Sequence, residues 1–427
     1  MKALRIAIAC GGLCAGKGGS ERAAVDMARE MAARGHSPLL LGWEGLSRAV
    51  SPVFEIPGAI PFLVVRHSGQ HDYIEYLKNY LIGEKIDVFL SIQSDFAHLF
   101  WQQVCKGSGI PFIYSEQSDP HANLRISKWN HAGRLAALSG ADCIHTLLNI
   151  HAKDIPENFT DKIRVIPNAA PINALASDPI GGIRKKLLFL ARLAPPKRPE
   201  ILISAFTQIM NDHPDWDLEL WGGGPKMKDL LKQVSSQNIC LRVKIMGISH
   251  NPAEAFAGAQ IFCLPSDYEG LPLTALEAMS AGLPVTGFGA CRGLAGVVRN
   301  GETGLLSDEA TPQSLAMALD RLMGDPELRA RMGKAAKKEC AKYAPDKIYD
   351  QWENLFFEMA ELKNRTAMDA MSDEKFTNRA NLSAAARAEW LYRDFEGAMP
   401  WSFAWLKERA CNFALNIAGK HGSKGLS

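Results

Sequence analysis

The strongest constraint on this chain is a rhythm that stops once and restarts. Arg5–Cys10 (RIAIAC) is a short apolar run, followed by a glycine-rich loop and a helical segment, Ser20–Arg34. In that segment Ala24, Met27, Ala28, Met31 and Ala32 share one face, and Gly35 ends it. Ser37–Trp43, Asp87–Ile92, Pro111–Tyr114, Cys143–Leu148 and Arg164–Pro167 are further strand-like runs with helical segments between them. Strands alternating with helices predict a doubly wound parallel sheet. Asn168–Gly182 (NAAPINALASDPIGG) breaks the pattern and reads as an interdomain linker. The rhythm then resumes with strands at Lys186–Ala191, Asp217–Trp221, Val243–Met246, Gln260–Leu264 and Pro284–Phe288, and a helix at Pro199–Met210. The expected fold is α/β, with two tandem Rossmann-like domains facing across a cleft. The expected boundaries are 1–170 and 171–345 for the two domains, 346–365 for a crossing helix and 366–427 for a tail, helical or partly disordered. Open sheets of this kind bind ligands at the carboxyl ends of their strands, so both sets of strand ends should face the cleft.

Composition narrows the class. The 427 residues are 47% hydrophobic and 22% charged, ordinary for a globular protein. A net charge of +2 gives no global argument for nucleic acid. The nine cysteines are scattered and no CxxC pair repeats, which reads as reduced, cytoplasmic cysteine. In MKALRIAIACGGL, Arg5 and Gly11-Gly12 cut the apolar run to about five residues, below the roughly 7–15 of a signal-peptide core. It reads as a first strand. No run approaches the ~18 apolar residues of a membrane span, so any contact with the inner membrane face is expected to be peripheral.

Chemistry concentrates in the second half. DYEGLPLTALEAMSAGLPV, Asp267–Val285, places Glu269 at the end of the strand QIFCL and Glu277 about one turn into the helix that follows. Gly270, Leu271 and Pro272 open that helix, and its free N–H groups form an anion site suited to a diphosphate. One carboxylate would then bind ribose hydroxyls and the other the transferred group. Acids that merely suit the helix dipole are the other reading of the same stretch. Arg192 and Lys197 lie just past another strand end, where two cations neutralise a diphosphate without metal; alone they read equally as a solvated basic loop. Gly222-Gly223-Gly224-Pro225 is a glycine loop, or a simple tight turn, at a third strand end. Strand ends of one domain that together supply cations, glycines and carboxylates favour a nucleotide-diphosphate site.

With these motifs the chain resembles the retaining glycosyltransferases of family 4, over nearly all of residues 5–360. DYEGLPLTALEAM is similar to that family's E-x7-E motif, LARLAPPKRPEILISAF to its Arg/Lys segment, and WGGGP to its glycine turn. VIPNA at Val165–Ala169 is similar to its hinge, KGGSERAAVDMAREMAARGH at Lys17–His36 to its donor loop, and NGETGLL at Asn300–Leu306 to the segment closing its nucleotide pocket. The resemblance implies a GT-B fold and hexosyl transfer with retention from a nucleotide sugar, with no metal or other cofactor; a UDP-sugar is the favoured donor and GDP-mannose the alternative. It implies that Arg192 and Lys197 hold the donor diphosphate, Glu277 the ribose, and that Glu269 lies near the sugar. Gly18, Gly19 and Ser20 would bring N–H groups to the phosphates, with Gly223, Gly270 and Leu271 also lining the donor. SEQSDPH is similar to a SER-x-DP segment of bacterial capsule and lipopolysaccharide transferases, which places Glu116, Asp119 and His121 on the acceptor side. The implied acceptor is a glycan or lipid-linked glycan of a surface polysaccharide. The chain departs from the family at Ala295-Gly296-Val297, where most relatives carry a glutamate.

Several rivals remain in view. Gly11–Lys17 (GGLCAGK) satisfies the G-x4-G-K spacing of a phosphate-binding P-loop, but Gly18 stands where Ser or Thr would hold Mg²⁺. Asp215-Trp216-Asp217 mimics a metal-binding DxD triplet but precedes its strand, and reads as a turn acid plus strand start. A two-carboxylate glycosidase would not need Arg192, Lys197 and three glycine loops. A nucleotide-sugar epimerase of related fold needs no acceptor, and a non-catalytic protein would bind nucleotide without turnover. Within the aromatic-rich tail that starts at Trp390, WSFAWLKERACNFALNIAGK (Trp401–Lys420) suits either an amphipathic helix on a membrane surface, or a helix packed on the body or a poorly ordered end.

Overall fold

The computed structural model describes residues 2–14, 18–43, 52, 54–65, 71–93, 97–126, 130–170, 175–249 and 251–369. The aromatic stretch Trp390–Phe413 lies outside them, as does Lys17 of the P-loop-like sequence.

Two parallel sheets form in chain order. The first holds β1 (Arg5–Cys10), β2 (Ser37–Trp43), β3 (Phe62–Val65), β4 (Val88–Gln93), β5 (Phe112–Glu116), β6 (Cys143–Thr146) and β7 (Ile163–Val165), in the spatial order β3-β2-β1-β4-β5-β6-β7. The second holds β8 (Lys185–Leu190), β9 (Trp216–Trp221), β10 (Val243–Gly247), β11 (Ile261–Leu264), β12 (Val285–Phe288) and β13 (Gly304–Ser307), in the order β10-β9-β8-β11-β12-β13. Every neighbouring pair is parallel. Central strands such as VFLSIQ and IFCL are buried throughout, because helices cover both faces of a parallel sheet. The apolar runs of the sequence become these strands, with ends moved by a residue or two. The β3 and β13 strands were not expected. The first is a partly exposed edge and the second sits inside a glycine-rich loop sequence, so neither carries a strong strand signal.

The helix Gly19–Ala33 buries Ala24, Val25, Met27, Ala28 and Met31. Ala32, expected on that face, is only partly buried, and Val25 takes a buried place instead. The last described helix, Pro345–Asp369, runs longer than the expected 346–365. It returns to the first sheet, where Ile348, Tyr349, Trp352, Leu355, Phe356 and Met359 share a core with Ile6, Ile8, Val88 and Leu90. Glu353 ties it there by accepting from Arg34 at 2.8 Å and pairing with the His36 ring at 2.9 Å. Among the described residues no helix is long and apolar enough to cross a membrane, and all eight described cysteines are free.

The DxD-like triplet behaves as a strand start. Trp216 is buried, Asp215 pairs with Lys185, and Asp217 pairs with Arg184 and, at 3.3 Å, with Arg242. All of this lies at the amino end of β9, away from the cleft-forming strand ends.

Candidate active site

The second sheet changes direction at β8. From β8 the chain adds β9 and β10 on one side, then returns to add β11, β12 and β13 on the other. A crevice therefore opens between the carboxyl ends of β8 and β11. Arg192 and Lys197 follow β8, while Ser266 and Glu269 follow β11. Lys197 Nζ donates to Glu269 Oε1 at 2.5 Å, and Ser266 Oγ donates to the same oxygen at 2.6 Å. Glu269 is 9% exposed. A cation and a hydroxyl thus hold a nearly buried carboxylate at the crevice. Arg192 is exposed, and among the described residues no carboxylate pairs with it.

Two local devices aim these cations. Arg198 has a φ of 48°, a left-handed conformation uncommon for a residue with a side chain. It reverses the chain between Lys197 and the helix Pro199–Ile209, and it is pinned by Asp267 at 3.2 Å and Glu200 at 3.2 Å. The glycine turn after β9 clamps the backbone on either side of Arg192. A Cβ on Gly222 would stand 1.9 Å from Ala191 O, and one on Gly224 would stand 2.3 Å from Leu193 O. Leu193 N donates to Gly223 O at 2.9 Å, and Lys226 N donates to Leu193 O at 3.0 Å. The Gly223 carbonyl is thereby committed to the loop that carries Arg192, and its α-carbon faces Ile248.

The Glu277 helix, Leu273–Ala281, meets the first half of the chain. A Cβ on Gly270 would lie 2.1 Å from Gln117 O, Leu271 is buried, and Gly19 lies beside Leu273. The amino ends of the helices Gly19–Ala33 and Leu273–Ala281 therefore approach each other across the cleft. Glu277 is 9% exposed, and Arg22 Nη1 donates to its Oε1 at 3.1 Å. Burial pushes the Glu277 carboxyl above its ordinary range, and the Arg22 charge and hydrogen bond pull the other way. Gly18 precedes the Gly19 helix and Ser20 lies in its first turn. The Glu21 carboxylate lies against the turn before it, because a Cβ on Gly12 or Gly18 would fall within 1.8 Å or 2.3 Å of its oxygens. The Glu21 carboxylate thus faces both described ends of the P-loop-like sequence, at Gly12 and at Gly18.

The acceptor-side residues separate into different environments. Glu116 is 1% exposed; its oxygens accept from Arg134 at 2.9 and 2.8 Å and from Tyr114 at 3.1 Å. It anchors the loop from below. Asp119 caps the helix Pro120–Arg125 by accepting from His121 N at 2.9 Å, and it accepts from Arg292 at 3.2 Å. The His121 ring is exposed and lies 3.0 Å from Asp154. Arg292 also donates to Asp154 and to Ile150 O, each at 2.7 Å, and so staples the second half to the first. Gly296, in the segment that departs from the family pattern, lies under Leu148: a Cβ there would stand 2.7 Å from Leu148 Cδ1 and 3.2 Å from Arg292 O, so the leucine would have to shift.

Sequence reasoning missed Arg22, Ser266, Asp154 and Arg292. Arg22 and Glu277 are 255 positions apart, so no local spacing could pair them. Ser266 had a usable signal, a hydroxyl at a strand end three residues before Glu269.

The model for glycosyltransferase family 4 matches residues 17–173, and the model for glycosyl transferases group 1 matches residues 176–339. An uncharacterised glycosyltransferase of Haemophilus influenzae is 23% identical over 79% of this chain and 96% of its own length. An exopolysaccharide phosphotransferase of Streptomyces coelicolor is 34% identical over 53% of this chain, a match that spans 24% of that longer protein. The crystal structure of Anabaena HepE in complex with UDP and glucose superposes with a TM-score of 0.66 at 18% identity, covering 83% of this chain and all of that one. The two sheets thus have the GT-B arrangement. With one family model on each half, the chain belongs to the glycosyltransferases of the family 4 type.

Proposed function

We propose that this enzyme transfers a hexosyl group, with retention, from a nucleotide-diphosphate sugar to a glycan or lipid-linked glycan in surface polysaccharide synthesis. A UDP-sugar is the favoured donor. The observation that carries the reading is the grouping of Arg192, Lys197, Ser266 and Glu269 at the adjacent carboxyl ends of β8 and β11. In this reading Arg192 and Lys197 neutralise the diphosphate, whose departure is the step that develops charge. Glu269, held by Lys197, lies beside the sugar, and Glu277 accepts the ribose hydroxyls. Gly18, Gly19, Ser20, Gly223, Gly270 and Leu271 form the donor walls. The acceptor approaches from the loop of Asp119 and His121, with Glu116 as that loop's buried support. The bond between the anomeric carbon and the diphosphate breaks, a bond to the acceptor oxygen forms on the same face, and the acceptor proton passes to the leaving diphosphate. No protein nucleophile and no metal enters this scheme. HepE, which has the same fold, binds UDP and glucose, in keeping with the favoured donor. The proposal places the enzyme in the cytoplasm, with peripheral access to the inner membrane face for a lipid-linked acceptor.

The test is donor cleavage and transfer in EDTA across a panel of UDP- and GDP-hexoses, with products read by mass and anomer. Consumption of one donor, lost in Glu269→Ala, is the expected result. Mg²⁺-dependent ATP hydrolysis with every sugar nucleotide left intact would overturn it.

A further inference from the structure

Arg22 is the one residue of the first half whose charge reaches a carboxylate of the E-x7-E stretch among the described residues. It leaves the outer face of the helix Gly19–Ala33 and ends on Glu277 Oε1 at 3.1 Å, while its Nε lies 3.4 Å from Asp26, one turn further along its own helix. Its side chain is 41% exposed, so it is not held there by burial. Asp26 fixes the near end of the guanidinium and leaves the far end to point across the cleft. Around Arg22 lie Ala23, Asn168 of the hinge, Leu273, and Tyr349 and Trp352 of the returning helix.

We propose that Arg22 is a positioning residue for the donor ribose: its hydrogen bond holds and orients the Glu277 carboxylate, and so makes donor binding depend on a contact between the two halves of the chain. This inference rests on the reading of Glu277 as the ribose carboxylate. Two adjacent ribose hydroxyls can both donate to an ionised carboxylate, whereas protonation turns one of its oxygens into a donor and weakens the pairing. Glu277 sits on a helix whose surroundings are almost wholly apolar: Ala275, Leu276, Ala278 and Met279 are all buried. Such a site favours the neutral acid. Arg22 opposes that tendency, and the hydrogen bond leaves Oε2 outside the pair. Among the described residues Arg22 is the charge that acts on Glu277, and the other titratable groups nearby lie beside Arg22. These are Asp26 on the same helix and the Tyr349 phenol, which burial and the Asp26 and Glu30 charges keep neutral. Cys340, packed against the Glu277 helix, is also neutral, because burial raises its thiol to about 11.

The sign of the effect is definite. Glu277 binds as the anion, so affinity is lost as pH falls through its raised pKa. Removing Arg22 raises that pKa further and moves the loss to higher pH. The experiment titrates UDP and GDP in parallel by calorimetry onto the full chain, as wild type, Arg22→Ala, Arg22→Gln, Arg22→Lys and Glu277→Gln, at pH 6 and pH 9. Protonation of the nucleotide's own phosphates cancels in each variant-to-wild-type ratio. The expected result is a loss of roughly tenfold for Arg22→Ala and Arg22→Gln at pH 6 that shrinks severalfold at pH 9, with Arg22→Lys recovering most of it. A loss equal at both pH values, or a lysine no better than glutamine, would reduce Arg22 to a packing residue and overturn the proposal. Wild-type binding that is lost in Glu277→Gln but untouched in Arg22→Ala would overturn it while leaving the ribose reading intact. Wild type that binds neither nucleotide would remove both.

Discussion

Arg192 and Lys197 look alike in sequence, yet their surroundings give them different work. Lys197 is already paired, so a diphosphate must share it with Glu269. Arg192 is exposed at the same strand end with no carboxylate on it among the described residues, so a diphosphate gains its charge at no cost in broken contacts. Arg192→Ala should therefore leave folding unchanged while lowering kcat for donor cleavage by about 10²–10³, the range for losing one group that stabilises developing charge. Urea unfolding and steady-state kinetics on the same preparation separate the two effects. A midpoint shift matching the activity loss would mean the residue serves the fold. Arg192, Lys197, Glu269 and Glu277 were legible because each follows an apolar run that can only be a strand or opens the helix after it. Arg22 was not, because a pair made across the cleft leaves no trace in local spacing. Glu116 shows the converse. Its motif resembled an acceptor loop, but burial against Arg134 and Tyr114 is decided by tertiary packing, which no motif reports.

The element that most directly shapes the site is the glycine turn after β9. Its glycines were legible, but their task was not: they admit the carbonyls of Ala191 and Leu193 rather than a ligand alone. Gly224 has a φ of 155° and no space for a Cβ. Gly224→Ala should cost about 1–3 kcal/mol in unfolding free energy and also weaken donor binding, since the clamp on Arg192 opens. An alanine variant with wild-type stability and wild-type UDP affinity would remove the clamp from the account. At the opposite end of the same strand, Asp217 has a structural role with its own pH signature. Burial acts to raise its carboxyl, but Arg184, Lys244 and Arg242 outweigh it, so the net shift is downward. A depressed carboxylate contributes stability above the ordinary aspartate range and loses it as pH falls through the folded value. Asp217→Asn should destabilise the protein by about 2 kcal/mol at pH 7, and the gap to wild type should close as the pH of thermal or urea unfolding is lowered below that range. A gap that stays constant into acid would show that shape, not charge, is what the asparagine disturbs.

At the scale of the whole molecule, the two sheets were the easiest feature to read and their contact the hardest. Alternating runs announce a parallel sheet, and a Pro- and Gly-rich pause announces a second one, but how the halves touch depends on single close approaches. Arg292 staples one side of the seam through Asp119, Ile150 and Asp154. Gly296 passes under Leu148, and Gly270 presses on the backbone at Gln117 and Ser118. The returning helix Pro345–Asp369 adds a third tie by completing the core of the first sheet. Gly270 sits where the seam and the candidate active site coincide, one residue after Glu269 and three before the helix that carries Glu277. Its φ is not in the left-handed region, so alanine meets no backbone penalty there, only the Gln117 carbonyl 2.1 Å from its new methyl group. Gly270→Ala is therefore a wedge between otherwise intact halves. It should enlarge the radius of gyration in small-angle scattering and reduce transfer more than it reduces UDP binding. In the proposed function the donor site lies mainly on the second half, whereas transfer would need the loop at Asp119 brought up against it. Unchanged scattering with a proportional loss of binding and transfer would place the strain within the Glu269 loop and show that closure of the seam is not what the glycine secures.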